Sequence, residues 1–484
     1  MTQPKTLFTC FKAQEHCYIY DTYSNEILQV HSDVWQALKA VAEAPPTSSN
    51  IPDGREDNAG AALAAARRAG FLRPCQVDRM AFYLSDDTLR TRIANAISTL
   101  TLEVTERCNL RCQYCAFSYD RQRTTTPATM SLAVAKKAVD LFLAHSTLAE
   151  QPAVTFWGGE PLLAFDLIRH VVERINTAVP DRHIAFAFTT NGTLITPEVA
   201  AFMAKARINP LVSLDGPPHI HDRHRRSRSG AGTCHEVLAG LQRLRDADPA
   251  YYDRCVRFNC VLPIDTSLDE VQRFFAGHEL LAGHQVTISA ANATGLPDTE
   301  ETTTFGGLAD AHRRQTCALV ATQRPDATPF VPAGTSYRRA LEKIAFRSRT
   351  PLGDVIHPNG CCVPLLRRMV VRPNGDVHMC EQPPYGNALG NVHRGIDFDT
   401  AFEIVREYTS RSLPECSTCW AMRLCSMCYK QTMQDCNWAP SDRSEECAAY
   451  RNGIRRTLAD YASICEQNPS AFDYLKDMVF VFPV

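Results

Sequence analysis

The stretch Val104–Phe117, VTERCNLRCQYCAF, spaces Cys108, Cys112 and Cys115 as CxxxCxxC directly after LTLEVT, a run whose β-branched and apolar residues predict a strand. Three thiolates on one short loop neither complete a tetrahedral zinc site nor close a four-iron cube. Structural zinc sites draw four ligands from paired CxxC units, whereas a cube with one open iron can bind a substrate or cofactor there. The spacing points to an iron–sulfur cluster, with zinc as the weaker alternative.

Around this loop, from about Ser98 to Ala291, β-branched or aromatic runs alternate with amphipathic stretches, the pattern of βα units on a parallel sheet. The strands read LTLEVT, AVTFW, IAFAFTT, PLVSL, VRFNCVL and QVTIS, and six units predict a partial barrel or strongly curled sheet. Helical segments such as SLAVAKKAVDLFLAH, TPEVAAFMAKA and HEVLAGLQRLRDA open on the candidate caps Ser131, Thr196 and Thr233. The C-terminal ends of parallel strands are where α/β barrels carry reactive groups. The other polar motifs fall there too: Gly158-Gly159-Glu160-Pro161, Thr190-Asn191-Gly192 and Ser213-Leu214-Asp215-Gly216. Glycines there let backbone approach a ligand, Glu160 suits an ammonium, and Arg225 suits a carboxylate.

Over roughly residues 98–315 the CxxxCxxC, GGEP and SLDG set resembles the radical S-adenosylmethionine (radical SAM) superfamily. The resemblance implies a partial (β/α)6 barrel in which Cys108, Cys112 and Cys115 hold a [4Fe–4S] cluster that binds and cleaves SAM to a 5′-deoxyadenosyl radical. It implies that Gly158, Gly159 and Glu160 hold the SAM amino group, and that Ser213 and Arg225 meet its ribose or carboxylate. Tyr114 would lie near adenine, with Asn191 and Asp215 at neighbouring strand ends.

A second set runs Cys361-Cys362, Gly375, Cys380, then Cys416-x2-Cys419-x5-Cys425-x2-Cys428, Cys436 and Cys447. These thiols suffice for two further cubic clusters or for two zinc sites. The pattern resembles the SPASM extension of radical SAM maturases, except that the last interval of the quartet has two residues rather than three. The resemblance implies one auxiliary cluster on Cys416, Cys419, Cys425 and Cys447 and another on Cys362, Cys380 and Cys428. Cys361 is the fourth ligand of the latter or a neighbour, and Cys436 is an alternative to Cys447. With only three thiols, an open iron could bind a substrate thiolate. The other cysteines lack ligand spacing and read as structural, and no histidine is assigned to metal.

Residues 1–85 read as a separate α+β module: HCYIYDTYSNEILQV with a turn at Ser24–Asn25, then two helical stretches separated by the loop PPTSSNIPDGREDN. Its pattern and position resemble the PqqD-like, winged-helix-like recognition element that captures leader peptides by strand addition. Beyond a 316–355 linker lie a cysteine-rich domain over 356–455 and a tail over 456–484, whose DMVFVFPV reads as an edge strand.

The formal charge of −2 with mixed signs gives no case for nucleic acid or an anionic membrane, the short basic run His221–Arg228 excepted. No run is long and apolar enough to span a bilayer and no signal pattern opens the chain, so the expectation is cytoplasmic. Twenty cysteines in a reducing compartment then point to metals rather than disulfides. The combined expectation is a maturase with three [4Fe–4S] clusters that takes a precursor peptide with a leader and electrons from a flavodoxin- or ferredoxin-type donor. It would install a crosslink, with a thioether favoured over carbon–carbon. The rival enzyme is a sulfatase-maturase type forming formylglycine, and a rival of another class is a non-catalytic iron–sulfur or zinc sensor or scaffold.

Overall fold

The computed structural model describes the chain except residues 1–3, 43–57, 116, 118–126, 263–265, 291–304, 323–329, 333–334, 361, 382–387, 429–432, 435–436, 439–442 and 477–484. Cys361, Cys436, the DMVFVFPV run and most of the 45–58 loop therefore lie outside the described residues.

Among the described residues the strands include β1 (Phe8–Ala13), β2 (His16–Asp21), β3 (Glu26–Val30), β4 (Arg79–Met80), β5 (Thr99–Thr105), β6 (Ala153–Gly158), β7 (Ala185–Thr190), β8 (Asn209–Ser213), β9 (Arg257–Leu262), β10 (Val286–Ala290), β11 (Phe330–Pro332), β12 (Val355–Ile356), β13 (Arg368–Val371) and β14 (Val377–His378). The six expected barrel strands are β5 to β10, and every neighbouring pair among them is parallel. Leu100, Leu102 and Val104 of β5 pack outward with Val139 and Phe142 of the helix Leu132–His145. By the two-residue period of a strand, Thr101, Glu103 and Thr105 face the concave side. There Thr101 Oγ1 meets Thr155 Oγ1 of β6 at 2.7 Å.

Two of the predicted caps close their helices. Ser131 accepts from Val134 N and Thr196 from Val199 N. Thr233 makes no side-chain cap bond: its backbone (φ −128°, ψ 0°) is not in the extended form of an N-cap, and its hydroxyl donates to Arg225 O at 2.8 Å.

The sheet extends beyond the predicted six. β11 joins β10, and β13, from the cysteine-rich region, adds in parallel to β5 and continues into antiparallel β14. The 316–355 segment thus contributes β11 to the barrel sheet, and the cysteine-rich region contributes β13 and β14.

The N-terminal strands form a separate antiparallel sheet, with Asn25 in the left-handed region (φ 59°) at the predicted turn. One face packs on the helices Ser32–Ala42 and Asn58–Arg68 through Trp35, Leu38 and Leu63. The other, with Phe11, Tyr18 and Tyr20, packs on Leu458 and Ala462 of the helix Ser444–Gln467 and on Leu424. The next helix, Asp86–Asn95, puts Leu89 and Ile93 into the barrel core instead. The described module is therefore a three-stranded sheet with two helices. Among the described residues, no helix is long and apolar enough to cross a membrane.

Candidate functional site

The cysteine loop leaves the end of β5 and is held by the end of β6. Gly159 N donates to Thr105 O and Glu160 N to Arg107 O, both at 2.8 Å. A Cβ on Gly158 would sit 2.0 Å from Thr105 O, and one on Gly159 would sit 2.2 Å from Arg107 O and 2.9 Å from Cys108 N. Gly158 also has φ 146°. The two glycines admit the backbone that leads into Cys108.

Glu160 is buried, and both its oxygens accept hydrogen bonds: Oε1 from Thr190 Oγ1 (2.7 Å) and Leu162 N (3.1 Å), Oε2 from Asn191 N (2.7 Å). Burial raises its pKa against these bonds, which lower it. Asn191 Nδ2 donates to Asn109 Oδ1 at 2.8 Å, and Asn109 Nδ2 to Thr193 Oγ1 at 2.9 Å. The end of β7 is in this way tied to the cysteine loop.

From the other side, the basic run grips the same loop. Arg111 N donates to Arg226 O (2.8 Å), Gln113 N to His224 O (3.2 Å) and Arg228 Nη2 to Cys108 O (3.1 Å). Asp215, at the end of β8, is the hub. Its Oδ2 accepts from Arg225 Nε (2.8 Å) and, in a very short bond, from Tyr114 OH, and its Oδ1 accepts from Val261 N (2.9 Å). The Arg225 guanidinium also lies over the Tyr114 ring, 5.4 Å from its centroid. Burial works against the charge of Arg225, but Asp215 and its neighbours more than offset that and raise its pKa. Burial lowers His221 to about 4, so it is neutral. Its Nδ1 accepts from Asp215 N at 3.2 Å, which leaves Nε2–H facing Thr233 Oγ1 at 3.2 Å.

Cys108, Cys112 and Cys115 are half-buried, and the electrostatics of the first two register the third. Burial raises Cys108 and pushes Cys112 up to about 12, so metal must displace protons to bind them. Among the described residues no three or more His, Cys, Asp or Glu side chains gather closely enough for a single ion. Three thiols on one loop offer an all-sulfur donor set, the chemistry an iron–sulfur cluster takes. Beside Gly158, on the concave side of β6, Trp157 Nε1 is buried with no acceptor among the described residues. A ligand at the strand ends would supply one.

The second cysteine set forms two groups. Cys416, at the end of the helix Phe398–Cys416, lines a cavity of about 80 Å³ together with Cys419, Cys425 and Cys447. Burial pushes Cys416 up to about 12. Cys362 interacts electrostatically with Cys380 and Cys428, and Arg368 stands beside Cys362 and Cys380.

Sequence reading missed several groups that build this site: Asn109, Trp157, and the pairing of Arg372 with Glu103 (3.1 Å) and Glu106 (2.9 Å). The available signal was a glutamate inside the apolar strand LTLEVT. Ser213 is buried at the end of β8.

Residues 102–276 match the family model described as Radical SAM superfamily. The chain is 33% identical over 153 residues to an uncharacterized protein of Methanocaldococcus jannaschii, covering 32% of this chain and 50% of that one. It is 25% identical to the radical SAM cyclopropyl synthase TigE of Paramaledivibacter caminithermalis, over 37% and 38%. It is 28% identical to the serine-type anaerobic sulfatase-maturating enzyme of Bacteroides thetaiotaomicron, over 33% and 39%. The chain thus spans between 38% and 50% of the length of these relatives. The solved structure of native anSMEcpe with bound AdoMet and Kp18Cys peptide superposes with a TM-score of 0.56 at 18% identity, covering 79% of this chain and 100% of that one. That likeness extends the shared fold well beyond the barrel. The strand-end loops and the cysteines on them lie within the 102–276 span that matches the radical SAM superfamily model.

Proposed function

We propose that this chain is a radical SAM peptide maturase that engages the leader of a ribosomally made precursor and crosslinks its core, preferentially through a thioether. The carrying observation is the junction of three parts. A three-stranded sheet is fastened to the loop of the cysteine quartet, which in turn belongs to a chain whose barrel mouth holds the cysteine triad. Thr22 Oγ1 donates to Trp420 O at 2.8 Å, Tyr20 packs edge-on against Trp420 at 6.2 Å, and Arg423 donates to Tyr23 O at 3.1 Å. Among the described strands β3 pairs with β2 alone, so its outer edge suits addition of a leader strand.

When bound, SAM and its cluster supply a radical that abstracts hydrogen from an unactivated carbon. The chain's residues orient and exclude. The Asp215–Arg225–Tyr114 network fixes the wall where the nucleoside and carboxylate of SAM would rest. Asn109, Asn191 and Glu160 hold the triad loop rigidly, and Trp157 offers a donor from the concave face. Auxiliary clusters on the two cysteine groups would take the surplus electron, and a low-potential flavodoxin- or ferredoxin-type protein would recharge the triad cluster.

A second reading, formation of formylglycine, is favoured by the match to a serine-type anaerobic sulfatase-maturating enzyme. Co-expression with short open reading frames beside the gene separates the two. A crosslinked peptide loses two hydrogens and shows no hydrazide-reactive carbonyl, whereas formylglycine reacts with hydrazide. An unaltered mass for every neighbouring peptide would count against both.

The site itself yields a further prediction. Gly159→Ala is expected to displace Arg107 and Cys108 and to lower reconstituted iron by about four atoms per chain. The two auxiliary groups should keep theirs. Undiminished iron would show that the GG pair does not support the loop.

A further inference from the structure

A cleft of about 1000 Å³ opens between the N-terminal module, the segment 339–359 and the loop of the cysteine quartet, sharing no lining residue with the barrel mouth. Two of the five exposed large hydrophobic side chains among the described residues, Tyr83 (72% exposed) and Phe346 (48%), lie on it. Tyr83 stacks on His357 with centroids 3.8 Å apart, and His357 Nδ1 is anchored to Ala81 O at 2.6 Å. The tyrosine is therefore both exposed and held in place, as an aromatic anchor for a partner must be.

The charges on the wall are unequal. Arg339, Lys343, Arg347 and Arg423 face one carboxylate, Glu342, which already accepts from Arg338 Nε at 2.7 Å and Tyr474 OH at 2.9 Å. Arg347 is paired with Glu26 at 3.2 Å. Lys343 instead donates to Leu424 O (3.3 Å) and Arg423 to Thr350 O (2.8 Å), both neutral acceptors, although burial works against both charges and Cys425 and Asp21 lie near them. Arg339 is exposed. A concave, net-positive surface on a chain of formal charge −2 focuses attraction on an anionic partner.

We propose that this cleft docks an acidic, aromatic- or leucine-bearing segment of an extended peptide. Asn25, the residue before β3, lies on its wall, so a strand added along the free edge of β3 would run directly into it. That the peptide is a maturase precursor rests on the function proposed above. The acidic and apolar chemistry follows from the cleft alone.

The test is fluorescence anisotropy on the full-length, cluster-loaded protein. One labelled probe is a short peptide alternating Glu with Leu and Tyr, and its control carries Lys in place of every Glu. The acidic probe should bind and the lysine control should not. The double variant Arg339→Glu with Tyr83→Ala should weaken binding by about tenfold or more, and added salt should weaken it further in the wild type. Both side chains are solvent-facing, so circular dichroism and SAM cleavage should be unaltered in the variant. Equal binding of both probes, or an acidic probe that binds variant and wild type alike or neither, would overturn the proposal even if SAM is cleaved normally. A wild type that binds the acidic probe but never cleaves SAM would remove the maturase reading and leave the cleft's specificity standing.

Discussion

Alanine in place of Cys108, Cys112 and Cys115 together is expected to abolish 5′-deoxyadenosine formation and to lower reconstituted iron from about twelve to about eight atoms per chain. These thiols share one loop, gripped by the end of β6 on one side and by the 224–228 segment on the other, so the variant removes ligands without removing the loop's anchors. The eight remaining irons would belong to the groups containing Cys416 and Cys362, which lie elsewhere in the fold. Iron analysis and chromatography of the nucleoside product give both numbers. A fall to zero iron would mean that the auxiliary groups depend on the triad, and undiminished cleavage would remove the triad from the chemistry.

The second large effect is expected at Asp215. Its carboxylate serves Arg225, Tyr114 and Val261 N at once, and the side chains of Asp215 and Arg225 are only 2% and 8% exposed. Asp215→Ala leaves a buried guanidinium without its anion, a change that costs about 3–5 kcal/mol. The chemical denaturation midpoint should fall accordingly, and SAM binding, followed by calorimetry on the loaded protein, should weaken with it. Tyr114→Phe removes one hydrogen bond to a charged acceptor and should cost only about 1.5–3 kcal/mol. A Tyr114→Phe protein less stable than Asp215→Ala would contradict the placement of Asp215 at the hub.

Much of this was legible before any coordinates. The six barrel strands follow from alternating apolar runs, because each strand of a parallel sheet buries its helix-facing side completely. Spacing singles out Cys108, Cys112 and Cys115 as candidates, and position singles out the strand-end motifs. What the sequence concealed were contacts between distant segments. GGEP suggested glycines approaching a ligand, yet Gly158 and Gly159 approach the backbone of Thr105 and Arg107. A glycine pair says that something comes close, without saying what.

In the sequence the basic run at 221–228 is a short exception to the mixed charge pattern, with Arg225 suited to a carboxylate. In the fold its backbone carbonyls receive the cysteine loop, and Arg225 is buried against Asp215. Likewise the addition of β13 to β5 joins residues some 270 positions apart (Arg368 to Thr99). No local periodicity encodes such a pairing. Glu103 was the one visible hint, since a carboxylate in a buried strand needs a partner, and Arg372 provides it from the residue after β13.

Reductive SAM chemistry at the barrel-mouth triad is read out by reconstituting the protein anaerobically with iron and sulfide, adding SAM and dithionite, and measuring 5′-deoxyadenosine. About twelve irons per chain and steady production of the nucleoside are expected. Zinc in place of iron, or a fully iron-loaded protein that leaves SAM intact, would contradict that chemistry.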